Sequence, residues 1–186
     1  EYFIQSYSLG RTPAPCTMCN PLIKWHYLEQ YADRVGAEKI ATGHYFNIEQ
    51  IEDKFYVSKA DDLSKDQSYY LWGLSQGILS RAITPMGHRF KEEVKRDFSN
   101  KKESMGVCFL CRRPYSEFLE QRGVEMLPGD IVDGNGVVCG RHNGIARYTI
   151  GQKRGEGIPE GCRVVNIDSK ENTIEVGDSS KLYKSK

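Results

Sequence analysis

Residues 39–46 read Lys39-Ile40-Ala41-Thr42-Gly43-His44-Tyr45-Phe46, and this short apolar run with a glycine inside it decides the fold class. It is too short for a helix and carries its own turn residue, so it predicts a buried strand over residues 39–42, with a second strand starting at Tyr45 and running to 49. Just upstream, Leu22, Trp25, Leu28, Ala32 and Val35 recur at steps of three or four. That is one apolar face at the helical period, the face expected to meet the core. Asn20 followed by Pro21 supplies an N-cap and a proline for the first helical position, and Gly36 supplies the stop. Downstream, Phe55, Tyr56 and Val57 predict a third strand over 54–58. A helix followed by a buried strand is the signature of an α/β unit.

Working outward, residues 1–7 (EYFIQSY) read as helix, and Gly10, Pro13 and Pro15 break it. Tyr70, Leu71, Leu74, Ile78 and Leu79 fit a helix over 66–79 with a break near Gly73, and 90–100 predicts another. After Tyr115 the texture changes: residues 128–161 are dense in glycine and turn pairs between short β-type runs, and 162–176 read as a hairpin turning at Ser169 to Asn172. The expected organisation is therefore an α/β domain over 1–104 and a small β-rich domain over 105–186.

With 186 residues the chain falls between one large domain and two small ones. Hydrophobic residues make up 39% and charged residues 27%, and no apolar run approaches the roughly 20 residues of a membrane span. A soluble chain with no membrane partner is expected. Lys plus Arg at 26 against Asp plus Glu at 25 give a formal charge of +1, so any basic face must be local. Between Arg81 and Arg113 there are nine Lys or Arg against four Asp or Glu. That stretch is either a solvated helix face or a phosphate-contacting patch. The cysteines, Cys16, Cys19, Cys108, Cys111, Cys139 and Cys162, stand in a Lys- and Glu-rich chain with no signal-like start. They read as thiols of a reducing compartment rather than a disulfide framework.

Cys16-Thr17-Met18-Cys19 and Cys108-Phe109-Leu110-Cys111 form two CxxC pairs. Such a pair of pairs suits a structural tetrahedral zinc, although a zinc ribbon keeps its pairs about 15–20 residues apart. A second reading is redox or sulfur transfer, because Cys19 precedes the expected helix start, where free N–H groups stabilise a thiolate. A third is an iron-sulfur cluster held by Cys16, Cys19 and one distal thiolate. Cys139 and Cys162, in strand-like contexts, read as small buried hydrophobes. His44 follows Gly43 at the end of a strand, where open α/β sheets place their ligands, and Gly43 permits close approach by a nucleotide. Lys65, Asp66 and Gln67 lie at an expected helix start, and Arg147, Lys153 and Arg154 sit among glycines suited to phosphate contact.

Taken in order, GRTPAPCTMCN (10–20), ATGHY (41–45), SKDQSYYL (64–71), GVCFL (106–110) and YTIGQKRG (148–155) resemble the motifs of the tRNA-specific 2-thiouridylase family. The resemblance runs through essentially the whole chain. It implies an adenine-nucleotide alpha-hydrolase-like (Rossmann-like) α/β domain followed by a β-rich central domain. It further implies ATP-dependent thiolation of C2 of uridine 34 in wobble-uridine tRNAs of the Glu, Gln and Lys type, with ATP and Mg as cofactors and a cytoplasmic location. A persulfide sulfur-relay protein or cysteine desulfurase would be the sulfur donor. Carried over residue by residue, Cys108 bears the persulfide and Cys19 is the nucleophile that releases sulfur by closing a Cys19–Cys108 disulfide. Gly43 meets ATP and His44 meets the tRNA. Ala14, Pro15 and Cys16 meet the target base, and Lys65, Asp66 and Gln67 meet the tRNA backbone.

The chain departs from the family pattern at named positions. Cys16 stands where the family often has Asp, and this favours a 4Fe-4S cluster on Cys16, Cys19 and Cys108. Ala14 stands where the family has Asn, and Cys111 where it commonly has Gly. The family's Ser-Gly-Gly-x-Asp-Ser phosphate loop does not occur in these residues. The chain is thus expected to be an interior piece of a longer enzyme, inactive alone. A non-catalytic RNA-binding module with zinc on the four CxxC thiolates is the contrasting expectation.

Overall fold

The computed structural model describes residues 1–98 and 106–183. Along them the order is α1 (Tyr2–Ser8), α2 (Pro15–Cys19), a π turn (Asn20–Lys24), α3 (Trp25–Val35), β1 (Ile40–Ala41), β2 (Asn47–Ile51) and β3 (Lys54–Ser58). There follow α4 (Gln76–Arg81), β4 (Ala82–Ile83), α5 (Lys91–Asp97), α6 (Tyr115–Gln121), β5 (Pro128–Val132), β6 (Val138–Asn143), β7 (Arg163–Asp168) and β8 (Thr173–Gly177). The chain divides into two compact units, one of Ala14–Met105 and one of Glu1–Pro13 with Gly106–Lys186. The boundary expected at 104 and 105 falls outside the described residues. The first thirteen residues, expected in the α/β domain, group with the β-rich unit. There Phe3 and Tyr7 of α1 bury against Leu110, Leu119 and Ala146.

In the α/β unit, β1 pairs in parallel with β4, Ile40 opposite Ala82 and Ala41 opposite Ile83. A parallel pair needs a long crossover, and this one carries the β2–β3 hairpin and α4. Trp25, Ala32, Ile40, Phe46, Leu71, Leu74, Ile78 and Leu79 form its core. α3 ends at Gly36 in the left-handed conformation (φ 70°), and Arg81 closes that end by donating to Asp33 (2.6 Å) and to the Ala37 carbonyl (2.8 Å). The strand expected over 54–58 is observed with those bounds, whereas those expected over 39–42 and 45–49 occupy 40–41 and 47–51.

Three helical expectations are corrected. The helix expected to start at Asn20-Pro21 starts at Pro15, with Ala14 as N-cap, and runs through Asn20 and Pro21 as a π turn. Pro21 has no N–H and its ring crowds the preceding turn. The wider register, in which the Trp25 N–H reaches the Asn20 carbonyl, accommodates it. The expected core face of this helix is only half right. Trp25 and Ala32 are buried, but Leu22 (58% exposed), Leu28 (39%) and Val35 (55%) face outward. The helix expected over 66–79 is a 3₁₀ turn at Ser68–Tyr70 and the short α4, capped by the Ser75 hydroxyl. α5 matches the helix expected over 90–100 as far as Asp97, and residues 99–100 lie outside the described residues.

The β-rich unit holds a four-stranded sheet in the order β6-β5-β8-β7. β5 and β8 are parallel and the other pairs antiparallel. Ile131, Tyr148, Val164, Ile174 and Val176 fill its core. β7 and β8 form the expected hairpin, its turn held by Asp168 Oδ1 accepting the Lys170 and Glu171 N–H groups. α6 went unforeseen, since its seven residues are too few to show a period. The expectation that Cys139 is buried is also corrected. β6 is an edge strand, and Cys139 is exposed on it, while Cys162 is half-buried against the core.

Candidate functional site

Cys16 and Cys19 lie three residues apart on α2, hence side by side on one helical face, and both are half-buried. Cys19, expected to precede the helix, is instead within it. Asn20 anchors this segment: it is 2% exposed, and its amide donates to the Cys16 carbonyl (2.9 Å) and to the Tyr70 carbonyl (3.1 Å). Tyr70 in turn closes the turn that begins at Gln67, whose carbonyl accepts the Tyr70 N–H.

His44 joins the same neighbourhood. Its ring stacks on Trp25, centroids 6.2 Å apart, and Nδ1 sits 3.0 Å from the Thr42 hydroxyl. Burial first, and the nearby Lys24 ammonium second, hold its pKa below the ordinary histidine value. It is therefore a neutral imidazole near pH 7, a hydrogen-bonding group rather than a cation. Beside it Gly43 is exposed, and a side chain built there would meet nothing within 4 Å. This bare strand end fits close approach by a planar ligand or a phosphate chain.

Gln67 is locked to the same loop: its side-chain oxygen accepts the Tyr45 N–H (3.0 Å) and its own N–H donates to the Tyr45 carbonyl (2.8 Å). Asp66 accepts from the Ala60 N–H (2.9 Å) and the Ser68 hydroxyl (2.6 Å). Partial burial raises its pKa, but those bonds and Lys59 outweigh it, and the net shift is downward. Lys65 is half-buried at the head of this turn. The structure thus draws Cys16, Cys19, His44 and Gln67 into one connected region of the α/β unit. Asn20, Thr42 and Trp25 hold it together; the sequence offered Asn20 as a helix cap and Trp25 on an apolar face, and gave Thr42 no role of its own.

The remaining expected residues belong to the β-rich unit. Cys108 opens a 3₁₀ turn, Cys108–Leu110, and is exposed. The turn is fixed by Leu110, which is buried, and by Phe109, edge-on to Phe3 at 5.1 Å. Cys111 and Arg112 then adopt φ values of 50° and 69°. Lys153 and Arg154 are exposed on the loop before β7, and Arg147 is paired with Glu120. Three basic residues of the stretch from Arg81 to Arg113 are paired locally. Arg81 pairs with Asp33, Arg89 with Asp97, and Lys95 with Glu92, as a solvated face would; Lys101 and Lys102 lie outside the described residues.

Among the described residues no group of three or more His, Cys, Asp or Glu side chains is placed to hold a metal ion. Cys16 and Cys19 lie in one unit, Cys108 and Cys111 in the other. No helix among the described residues is long and apolar enough to cross a membrane.

Comparison with known proteins places this geometry in a family. Residues 1–112 match the tRNA methyl transferase HUP domain, and residues 116–178 match the tRNA methyl transferase PRC-barrel domain. The tRNA-specific 2-thiouridylase MnmA 3 of Bacteroides fragilis (strain YCH46) is 42% identical over 195 residues, covering 97% of this chain and 53% of that protein. The MnmA of Chlorobium phaeobacteroides (strain DSM 266) is also 42% identical, covering 98% and 55%, and that of Geotalea uraniireducens is 41% identical, covering 97% and 51%. The chain spans about half the length of the curated relatives it matches. A HUP-type α/β domain followed by a small β-rich domain, with this similarity along nearly all its length, means that the chain belongs to the tRNA-specific 2-thiouridylase family.

Proposed function

We propose that this chain contributes the thiol chemistry and part of the RNA contact of an ATP-dependent tRNA 2-thiouridylase acting in the cytoplasm on uridine 34 of Glu-, Gln- and Lys-type tRNAs. The observation that carries this is the 42% identity along 97% of the chain to proteins named for that reaction. The matched family model is described as a methyl transferase, but the relatives' names and the cysteine pairs favour sulfur over methyl transfer.

In this reading O2 of the uracil ring takes the adenylyl group of ATP, with Mg, and pyrophosphate leaves. Cys108 carries a persulfide delivered by a sulfur-relay protein or cysteine desulfurase. The Cys19 thiolate attacks the Cys108 sulfur, the S–S bond of the persulfide breaks, and hydrosulfide leaves with the bonding pair. Hydrosulfide adds at C2 and AMP departs with the former oxygen. The Cys19–Cys108 disulfide left behind needs two electrons from a dithiol before the next turnover. Cys19 ends α2, beside Cys16 on the same helical face and followed by the buried Asn20, which fixes the segment that carries it. Gly43 leaves room for the nucleotide. Neutral His44 offers a hydrogen bond to RNA, and Ala14, Pro15 and Cys16, at the head of α2, would face the target base.

Lys65, Lys153 and Arg154 would contact phosphates, while Asp66 and Gln67 hold the Lys65 turn in place. The test is to incubate the gene product with tRNA, ATP and a persulfide donor and to analyse digested nucleosides by mass spectrometry. ATP-dependent 2-thiouridine at position 34 is expected; a methylated nucleoside instead would overturn the reading.

A further inference from the structure

A cleft of about 570 Å³ opens in the β-rich unit, lined by Lys153, Arg154, Gly155, Glu160, Gly161 and Arg163 among others. Three cations thus face one acid. None of the three takes part in an ion pair among the described residues, unlike Arg141 with Asp130 and Arg147 with Glu120 in the same unit. Unpaired cations gathered in a concave site raise its potential and favour an anion.

The loop that presents them is fixed before any ligand arrives. The Gln152 side chain accepts the Thr149 N–H (3.0 Å) and donates to the Arg154 carbonyl (2.9 Å). The Gly151 N–H donates to the Val164 carbonyl (2.8 Å), and the Val164 N–H to the Gln152 carbonyl (3.0 Å), tying the loop to β7. Tyr148, buried, donates its hydroxyl to the Glu156 carbonyl (2.6 Å). A β-carbon at Gly155 would come within 2.7 Å of the Gln152 amide and 3.3 Å of the Tyr148 ring, so this backbone path is open only to glycine without rearrangement. Ordering cost is therefore already met in the free protein, which favours binding.

We propose that this cleft is a phosphate seat in which Arg163, on the first position of β7, completes a triad of cations with Lys153 and Arg154, and that it takes a backbone phosphodiester of RNA. The identity of the RNA rests on the proposed function; the anion chemistry does not. Arg supplies two parallel donors to phosphate oxygens where Lys supplies a point charge, so Arg163 fixes orientation and Lys153 adds attraction.

Two measurements on the 186-residue chain test this. In the first, inorganic phosphate is titrated at constant ionic strength while backbone amide resonances are followed. Shifts at residues 153–155 and 161–163 are expected, and Arg163→Met should abolish them. In the second, a fluorescein-labelled tRNA transcript is bound across a range of salt. Arg163→Met should weaken binding about tenfold and lower the slope of log K against log salt by about 0.7–0.9, one phosphate contact. Phosphate shifts with unaltered tRNA binding would keep the seat but overturn RNA as its source in favour of a free anion. Phosphate shifts in a chain that binds no tRNA would leave the seat standing and remove the RNA reading beneath it. Neither a phosphate-induced shift nor any effect of Arg163→Met on tRNA binding overturns the proposal.

Discussion

The two CxxC segments share one spacing and almost nothing else. Cys16 to Cys19 form a full turn of α-helix entered through Pro15 and continued by a π turn, held by hydrogen bonds from the buried Asn20 amide. Cys108 to Cys111 form a 3₁₀ turn that ends in two left-handed residues, and it is held by apolar packing of Phe109 and Leu110. One motif is half-buried and the other exposed. In the proposed chemistry this division has a use. A thiol that receives sulfur from another protein has to be reachable, and a thiol that attacks it benefits from a fixed place, which the buried Asn20 gives the Cys19 segment.

The largest effect that separates the segments is on turnover. Cys19→Ser and Cys108→Ser should each abolish 2-thiouridine formation by the gene product, measured in digested tRNA, while changing tRNA affinity little. Only Cys108→Ser should fail to take up labelled sulfur from the donor. Label retained on Cys108→Ser would reverse the assignment of the two roles.

Anchoring differs next. Leu110→Ala removes a buried side chain and should destabilise the β-rich unit by about 2–5 kcal/mol. Asn20→Ala removes a hydrogen-bonded anchor and should cost the α/β unit about 1–3 kcal/mol. Urea unfolding followed by probes in each unit would check both, and equal loss in both units from either variant would refute the contrast.

The same substitution should then have opposite signs in the two motifs. Cys111 is left-handed at φ 50°, a conformation glycine adopts freely, so Cys111→Gly should stabilise by about 1 kcal/mol. Cys16 is helical, and Cys16→Gly should destabilise by about 1 kcal/mol. Thermal melts would show this as shifts in opposite directions.

Each unit also carries one histidine with a lowered pKa. In His142, fully buried, Nδ1 accepts the Gly144 N–H (3.1 Å), so Nε2 bears the proton donated to the Asn172 carbonyl (3.0 Å). Burial is the main cause of its lowered pKa, as it is for His44. A histidine kept neutral by the fold takes up its proton more readily when unfolded. Its contribution is thus complete above the unfolded value of about 6.5 and is lost as pH falls below that toward the folded value. Unfolding midpoints should be flat from pH 8 to 7 and fall on further acidification, with both imidazole resonances titrating below the free value.

Much of this was legible in the chain. The third strand and the β7–β8 hairpin stood at their expected places, because alternation and turn residues are local signals. The start of the Cys16 helix was misplaced because Asn20-Pro21 carries every mark of a helix cap, and only the π register lets proline sit inside. The outward-facing Leu22, Leu28 and Val35 show that helical period fixes a face but not what covers it. The candidate residues themselves were found by motif; Asn20, Thr42 and Gln152 lie inside the same motifs, but their positioning roles show only in the hydrogen bonds they make, and Trp25 acts by packing. Cys111 was visible as a departure from glycine, and its left-handed backbone now gives that departure a physical cost.

In the proposed chemistry, sulfur release closes a bond between Cys19 and Cys108. A single turnover of the gene product with persulfide-loaded enzyme, ATP and tRNA, without reductant, followed by alkylation and peptide mapping, tests it directly. One Cys19–Cys108 disulfide for each 2-thiouridine formed is the predicted result. Stoichiometric 2-thiouridine with both thiols still open to alkylation would contradict it.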